Sequence, residues 1–331
     1  MSFLACRVFQ DVVQDKKQIH ARVIEMNDSE LSAGEVLVAV EYSGINYKDA
    51  LAVTGRGKIL RSYPLNAGID LAGTVLESSS PAVAVGQRVL VNGCGLGEAQ
   101  DGGLAQRARV PADWIIPLPA GLSAAQAMTL GTAGFTAALC LHRMLENHQS
   151  KDKGPIVVTG ATGGVGSVAV ALFASQGYEV IALSGRPEHH DYLRQLGASE
   201  VCTLADLKLG DRPLEAGRFG GIVDNVGGQQ LAKLIAHVNL WGNVACVGLA
   251  DSEQLPTTVF PLILRGVSLL GVSSANCPMP LRKQIWQKLG AEWRIPFERI
   301  FTETVALRHV IPACNDLLDR KRLGRTIVDC R

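Results

Sequence analysis

Neither sign of charge is in excess in this 331-residue chain: 32 lysines and arginines stand against 31 aspartates and glutamates, a net charge of +1. That balance excludes the electrostatic footprint by which proteins hold nucleic acid or an anionic membrane surface. Long hydrophobic runs are missing too, each falling well short of the roughly 20 residues that span a bilayer. The opening segment MSFLACRVFQDVVQDKK is charged by residue 7 and lacks the apolar stretch of an export signal. Cysteine clusters are absent: no two of the eight stand closer than 16 residues, and there is no CxxC. A disulfide framework is thereby excluded, and reduced thiols in a cytoplasmic protein are the expected reading. Charged residues make up only 19% of the chain and apolar ones 47%, which excludes a disordered tail or a coiled coil. The length leaves room for two domains, each with its own core.

Glycine is abundant, 35 residues, and its setting changes along the chain. Over about the first 125 residues, short apolar segments (35–43, 69–76, 88–91 and 105–110) alternate with Gly- and Pro-rich turns, which predicts a β-rich barrel or sandwich. Ser123 is placed to cap a helix beginning AAQAMTL. From Pro155 the pattern becomes strand–helix–strand: PIVVTG, a helix over 165–176, YEVIAL, a helix over 189–196, GGIVDNVG, LAKLIAHV as a helix, GNVACVGL and VSLLGV. Such alternation predicts a doubly wound parallel sheet, so the fold class is α/β. After about residue 280, two further helix–strand pairs do not read as another nucleotide-binding half.

The segment 156–170, IVVTGATGGVGSVAV, carries the most information. Gly160, Gly163 and Gly166 follow an apolar strand and open a helix. In a dinucleotide site the first glycine allows the tight turn, the second admits the diphosphate, and the third lets helix and strand pack closely. Free N–H groups at the helix start then favour an anion. The second strand ends in Leu183-Ser184-Gly185-Arg186 without the carboxylate that would hold a ribose 2′-hydroxyl. Ser184 and Arg186 instead suit a 2′-phosphate, which predicts NADPH. Arg186 also reads as a solvated loop arginine, and comparing kcat/KM for NADPH and NADH separates the two.

Four segments carry a family resemblance: GINYKDALAVTGRGK (44–58), PLNAGIDLAGTV (64–75), VTGATGGVGSVAV (158–170) and LSGRPEHHDYLRQLGA (183–198). They resemble the medium-chain dehydrogenase/reductase superfamily and, more closely, its zinc-free quinone oxidoreductase branch of the acryloyl-CoA reductase type (YhdH/YhfP-type). The likeness runs over essentially the whole chain. It implies a GroES-like β-rich catalytic domain (1–126 and 278–331), a Rossmann domain (127–277), the cofactor in the cleft, and a homodimer that reduces an activated C=C bond with NADPH. It also implies that NADPH is held by Tyr47, by Gly163, Gly164, Val165 and Gly166, by Ser184, Gly185 and Arg186, and further along by Leu249, Ile263, Ser274 and Arg320. Two positions depart from the family pattern. Leu204 stands where an arginine is frequent, and Arg320 where asparagine is.

Zinc-dependent members of that superfamily place Cys and His-Glu where this chain has Asn46, and Ile69 with Asp70. A catalytic zinc takes about three protein ligands, Asp70 alone cannot supply them, and no metal is expected. Without a Lewis acid, an alkene conjugated to a carbonyl is a better hydride acceptor than an alcohol is a donor. Hydride goes to the β-carbon, and charge collects on the carbonyl oxygen, where hydrogen-bond donors must wait. The candidates are Asn46 and Tyr47, with Asp70 as an orienting carboxylate. A packed aromatic for Tyr47 and a structural hydrogen bond for Asp70 are the competing readings.

Two basic runs, Arg56/Lys58/Arg61 and Arg320/Lys321/Arg322/Arg325, suit either coenzyme A phosphates or plain solvent exposure. The expected substrate is small: acryloyl-CoA or a similar enoyl thioester, or a free quinone or enone. A non-catalytic NADPH-binding protein is the reading of another class, and nucleic-acid and membrane partners are not expected.

Overall fold

Residues Ser2–Val13 and Lys16–Asn27 pair as antiparallel strands β1 and β2, with Ser2 opposite Asn27 and Val13 opposite Lys16. The computed structural model describes residues 2–331. Gln14 and Asp15 form the two-residue turn with φ of 51° and 59°, the left-handed pair whose twist matches the flanking strands. This hairpin was not among the expected strands, because its turn uses neither Asn-Gly nor Asp-Gly.

Next come β3 (Val36–Ile45), the short helix α1 (Tyr47–Thr54), β4 (Leu65–Asn66), β5 (Asp70–Ser78), β6 (Arg88–Asn92), β7 (Arg107–Val110), β8 (Ile116–Pro117) and the long α2 (Ala124–Glu146). The expected strands fall on β3, β5, β6 and β7. Val36, Val38 and Val40 of β3 turn to one face and join Leu71, Val75, Val89 and Val91 in a single core. By length and composition α2 is apolar enough to cross a membrane, but 83% of that apolar window is buried inside the protein, the mark of a core helix. At Gly131 the helix breaks, with φ 49° and ψ −153°, a conformation that only glycine adopts without strain.

The chain then builds β9 (Ile156–Val158), α3 (Gly164–Ser175), β10 (Val180–Leu183), α4 (His190–Gln195), β11 (Glu200–Cys202), β12 (Phe219–Asp224), α5 (Gly228–Ile235), β13 (Val238–Cys246), α6 (Phe260–Arg265) and β14 (Ser268–Gly271). Its strands form one parallel sheet in the order β11-β10-β9-β12-β13-β14. Strand order reverses between β9 and β12, and in open α/β sheets ligands bind outside the strand ends at such a point.

Finally α7 (Met279–Gly290), β15 (Thr302–Ala306), α8 (Val310–Leu318) and β16 (Arg325–Asp329) rejoin the first sheet, where β16 pairs antiparallel with β3. One unit comprises the chain up to Thr132 with Ala275–Gly290 and Phe301–Arg331; the other is Ala133–Ser274 with Ala291–Ile300. The first division falls just past the break at Gly131 rather than after residue 126. Residues Ala291–Ile300 count with the parallel sheet rather than with the tail.

Candidate active site

In the first unit, the junction of β3 and α1 meets the start of β5, the break in α2 and the start of β16 in a buried polar cluster. Asn46 precedes α1 in an extended conformation, φ −111° and ψ 168°. Its backbone N–H donates to Asp49 Oδ2 at 2.8 Å, and its side-chain Nδ2 donates to Asp49 Oδ2 at 3.1 Å and Asp70 Oδ2 at 2.7 Å. Asp49 Oδ1 accepts from the Ile69 N–H at 2.9 Å. Asp70 accepts from Thr132 twice, from the backbone N–H at 2.8 Å and from Oγ1 at 2.6 Å. Arg325 donates from Nε to the Thr129 carbonyl at 2.8 Å and from Nη1 to Asn46 Oδ1 at 3.2 Å. A Cβ on Gly131 would lie 2.6 Å from Asp70 Oδ2 and 2.9 Å from Arg325 Nη2, so the glycine at the break makes room for both charges.

Burial, and then the neighbouring Asp70 charge, push the Asp49 carboxyl up to about 7, although hydrogen bonds from Asn46 and Ile69 oppose the rise. Burial lowers the Arg325 value and the two carboxylates raise it, but a guanidinium stays protonated in either case.

Tyr47, the first residue of α1, is the opposite of its neighbours. It is 62% exposed, and its hydroxyl makes no hydrogen bond among the described residues. Of the three residues proposed for chemistry, it alone offers an unengaged polar atom; those of Asn46 and Asp70 are taken within the cluster.

The basic runs require a correction. Arg325 does not belong to a surface cluster: it is 3% exposed and lies in the polar cluster just described. Arg322 is held by Glu303 at 2.5 Å and Asp316 at 3.4 Å, and Arg56 by Asp319 at 2.9 Å. Lys58 and Arg61 remain exposed and form no ion pair among the described residues. Arg320 is exposed with φ 58°, a left-handed position that asparagine adopts more readily than arginine.

In the second unit, Gly160 turns the chain after β9 with φ 57°. A Cβ on Gly166 would lie 2.3 Å from the Gly160 carbonyl oxygen, so the close approach of α3 to the strand end requires glycine there. Gly163 precedes α3 and no side chain caps it; the first helical bond runs from Ser167 N–H to the Gly163 carbonyl at 2.9 Å. The amides of Gly164, Val165 and Gly166 therefore have no helical acceptor, the arrangement that receives an anion. Beneath the turn, Thr159 Oγ1 donates to the buried Asp224 Oδ1 at 2.7 Å, and Asn225 Nδ2 donates to the Thr159 carbonyl at 2.7 Å. These bonds stitch β9 to β12 where the strand order reverses. Burial raises the Asp224 carboxyl, against hydrogen bonds from Thr159 and Gly227. Thr159, Asp224 and Asn225 were not among the expected site residues. The signal available was Asp224 itself, an acidic residue closing an apolar strand.

After β10, Ser184 is buried and its Oγ accepts the Arg186 N–H at 3.1 Å, while the His190 ring nitrogen Nε2 lies 3.3 Å from the Ser184 carbonyl oxygen. Gly185 is exposed, and a Cβ there would meet nothing within 4 Å. The Arg186 guanidinium is half-exposed with no partner among the described residues. Leu249 and Ile263 are exposed, and Ser274 is half-buried.

The comparisons with known proteins agree with this construction. Residues 32–120 match the model of the alcohol dehydrogenase GroES-like domain, and residues 164–292 that of the zinc-binding dehydrogenase family. Acrylyl-CoA reductase AcuI of Ruegeria pomeroyi is 41% identical over 329 residues, covering 97% of this chain and 99% of that protein. The Bacillus subtilis protein YhfP, which carries the name of a quinone oxidoreductase, is 45% identical over 317 residues, 95% of each chain. Its structure with NAD bound has a TM-score of 0.94 at 42% identity, covering 99% of both chains. Escherichia coli K-12 YhdH with bound NADPH has a TM-score of 0.93 at 44% identity, covering 99% of this chain and 100% of that one. The chain belongs to the acrylyl-CoA reductase and YhfP-type quinone oxidoreductase family of medium-chain dehydrogenase/reductases.

One of the matched models is named for zinc, and the residues of this reductase do not fit that metal. Among the described residues no group of three or more His, Cys, Asp or Glu is arranged to hold an ion. Asp70, the one acidic residue at the corresponding place, already has its oxygens engaged by Thr132 and Asn46.

Proposed function

We propose that this reductase uses NADPH to reduce a C=C bond conjugated to a carbonyl, with acryloyl-CoA as substrate and propionyl-CoA as product, and without zinc. The observation that carries the cofactor reading is the end of β10. A buried Ser184 and an unpartnered Arg186 stand where a carboxylate would select NAD, beside a glycine turn whose free amides suit a diphosphate. When bound, the reduced nicotinamide supplies the hydride for the β-carbon. Gly163, Gly164, Val165 and Gly166 hold the diphosphate, and Ser184, Gly185 and Arg186 hold the 2′-phosphate. Leu249, Ile263, Ser274 and Arg320 complete the cofactor contacts. Tyr47 contributes its ring to the cofactor and its free hydroxyl to the substrate's carbonyl oxygen, where negative charge collects as hydride arrives. Asn46 and Asp70 orient the Tyr47 backbone without touching substrate, and the α-proton comes from water or a side chain.

The name of YhfP favours a second reading, reduction of free quinones or enones. Following NADPH oxidation with acryloyl-CoA, a simple enone and a simple quinone at equal concentration decides between them. The proposal expects the highest kcat/KM for acryloyl-CoA. A higher value for the quinone selects the second reading, and tight NADPH binding with no turnover selects a binding protein.

The reductase works as a cytoplasmic homodimer, without nucleic-acid or membrane partners. All eight cysteines are free, as a reducing compartment keeps them. In the parallel sheet, β14 is an edge strand, and nearby Trp241, Val259, Ile263 and Leu264 are exposed. An apolar face at a sheet edge is suited to a second copy of itself. Light scattering on an eluting peak is expected to give twice the monomer mass.

A further inference from the structure

We propose that Asp49 and Arg325 are positioning residues of this reductase, fixing Tyr47 through the side chain of Asn46. The proposal rests on the reading of Tyr47 as a cofactor contact; the rest follows from the buried cluster.

Among the described residues no hydrogen bond holds the exposed Tyr47 side chain, so its location is set by the backbone from which it springs. That backbone is clamped one residue earlier. The Asn46 amide donates from Nδ2 to two carboxylates, Asp49 at 3.1 Å and Asp70 at 2.7 Å, and accepts at Oδ1 from Arg325 at 3.2 Å. Only one orientation of the amide satisfies these partners. Turned over, its NH2 would face a guanidinium and its oxygen two carboxylates. Asp49 also takes the Asn46 backbone N–H at 2.8 Å and, through its other oxygen, the Ile69 N–H at 2.9 Å. One carboxylate thereby joins the residue before Tyr47 to the residue before Asp70.

Arg325 spreads its planar fork over four acceptors: the carbonyls of Thr129, Met128 and Ile45, and Asn46 Oδ1. A lysine carries the same charge but cannot span that set. The cluster holds two carboxylates against one guanidinium, all buried, which is why burial and the Asp70 charge raise the Asp49 carboxyl to about 7. The other groups facing Asp49 are thiols, Cys6 on β1 and Cys314 on α8. Burial pushes both up, Cys6 to about 12, so near neutrality they add no charge.

The test is a thermodynamic cycle. Asp49→Asn and Arg325→Lys are made alone and together with Tyr47→Ala, and NADPH affinity is read from cofactor fluorescence alongside kcat and KM. Each single variant is expected to weaken NADPH by roughly tenfold, and to add less than about twofold once Tyr47 is already alanine. Equal losses in the two backgrounds would mean that the cluster acts on the fold and not on Tyr47, and would overturn the proposal. In the cofactor-free protein, amide exchange at residues 47–50 is expected to rise in Arg325→Lys while circular dichroism stays native; unchanged exchange also overturns it. Should Arg325→Lys not fold, Asp49→Asn carries the same cycle, and a wild-type inflection in kcat/KM near pH 7 is expected to be absent from that variant. If the wild-type protein turns over no enone or quinone, the proposed reaction fails, and the affinity cycle still decides the role of Asp49 and Arg325.

Discussion

The buried cluster of the first unit and the glycine turn of the second solve opposite problems with polar groups. In the cluster, the carboxylate, amide and guanidinium groups of Asn46, Asp49, Asp70 and Arg325 are all engaged by protein. In the turn, the amides of Gly164 to Gly166 and the Arg186 guanidinium have no partner among the described residues. A satisfied buried network rigidifies its surroundings, and losing one member leaves another charge stranded in low dielectric. An unsatisfied set at a helix start is a vacancy for an anion. Removing a charge from the cluster should therefore be read first in stability, whereas substitutions in the turn should be read in cofactor affinity alone.

The largest expected effect breaks the cluster. Asp70→Ala removes one of the two carboxylates facing Arg325 and the acceptor of the bonds from Thr132 and Asn46, and is expected to cost about 3–5 kcal/mol of unfolding free energy in urea. A loss below 1 kcal/mol would mean that water reaches the cluster and that the contrast with the turn is false.

Next comes the proton on Asp49. Its carboxyl lies near 7 when folded, against 3.8 ordinarily, so between those values the folded chain holds a proton that the unfolded chain releases. The stability this proton confers is fully present below about pH 4 and is lost as pH rises to about 7, a change on the order of 4 kcal/mol. Urea titrations at several pH values should show this slope superimposed on the titration of the remaining groups. In Asp49→Asn the difference from wild type should vary with pH over that window and level off above it.

The turn answers in affinity. Gly166→Ala drives a methyl against the Gly160 carbonyl oxygen, 2.3 Å away, and shifts the helix start that must meet the diphosphate. NADPH binding by titration calorimetry is expected to weaken roughly a hundredfold, the scale of an ångström's misplacement. Affinity within threefold of wild type would separate the glycine spacing from cofactor binding.

How much of this the sequence discloses follows from distance along the chain. The turn is legible because Gly160, Gly163 and Gly166 act on one another locally, and the parallel sheet because its strands are buried apolar runs. The hairpin β1–β2 is not legible, since Gln14 and Asp15 adopt left-handed conformations without the usual residues and β2 is largely exposed. The cluster is legible only in part. Asp70 stands out as an acid in an apolar strand, and Asp49 lies at capping distance from Asn46. Arg325 sits among other basic residues, 279 positions from the Asn46 it holds, and only the pairing of β16 with β3 takes it inside.

The smallest expected effect sharpens the comparison most, because it should leave stability untouched. The Arg186 side chain is half-exposed with no partner among the described residues, and its N–H already caps on Ser184, so Arg186→Ala removes a charge without orphaning a partner. On the proposed reading its role lies in the 2′-phosphate alone. Losing one charge-assisted pair is expected to weaken NADPH roughly tenfold and leave NADH within about twofold. The wild-type preference should shrink as salt rises, since a charge in contact with solvent is screened. The family pattern offers a complement. On the proposed reading Leu204 stands where the resemblance puts an arginine, and Leu204→Arg is expected to raise NADPH affinity with no gain for NADH. Equal losses of NADPH and NADH in Arg186→Ala would move the 2′-phosphate away from β10 and leave the glycine turn as a diphosphate site without a chosen cofactor.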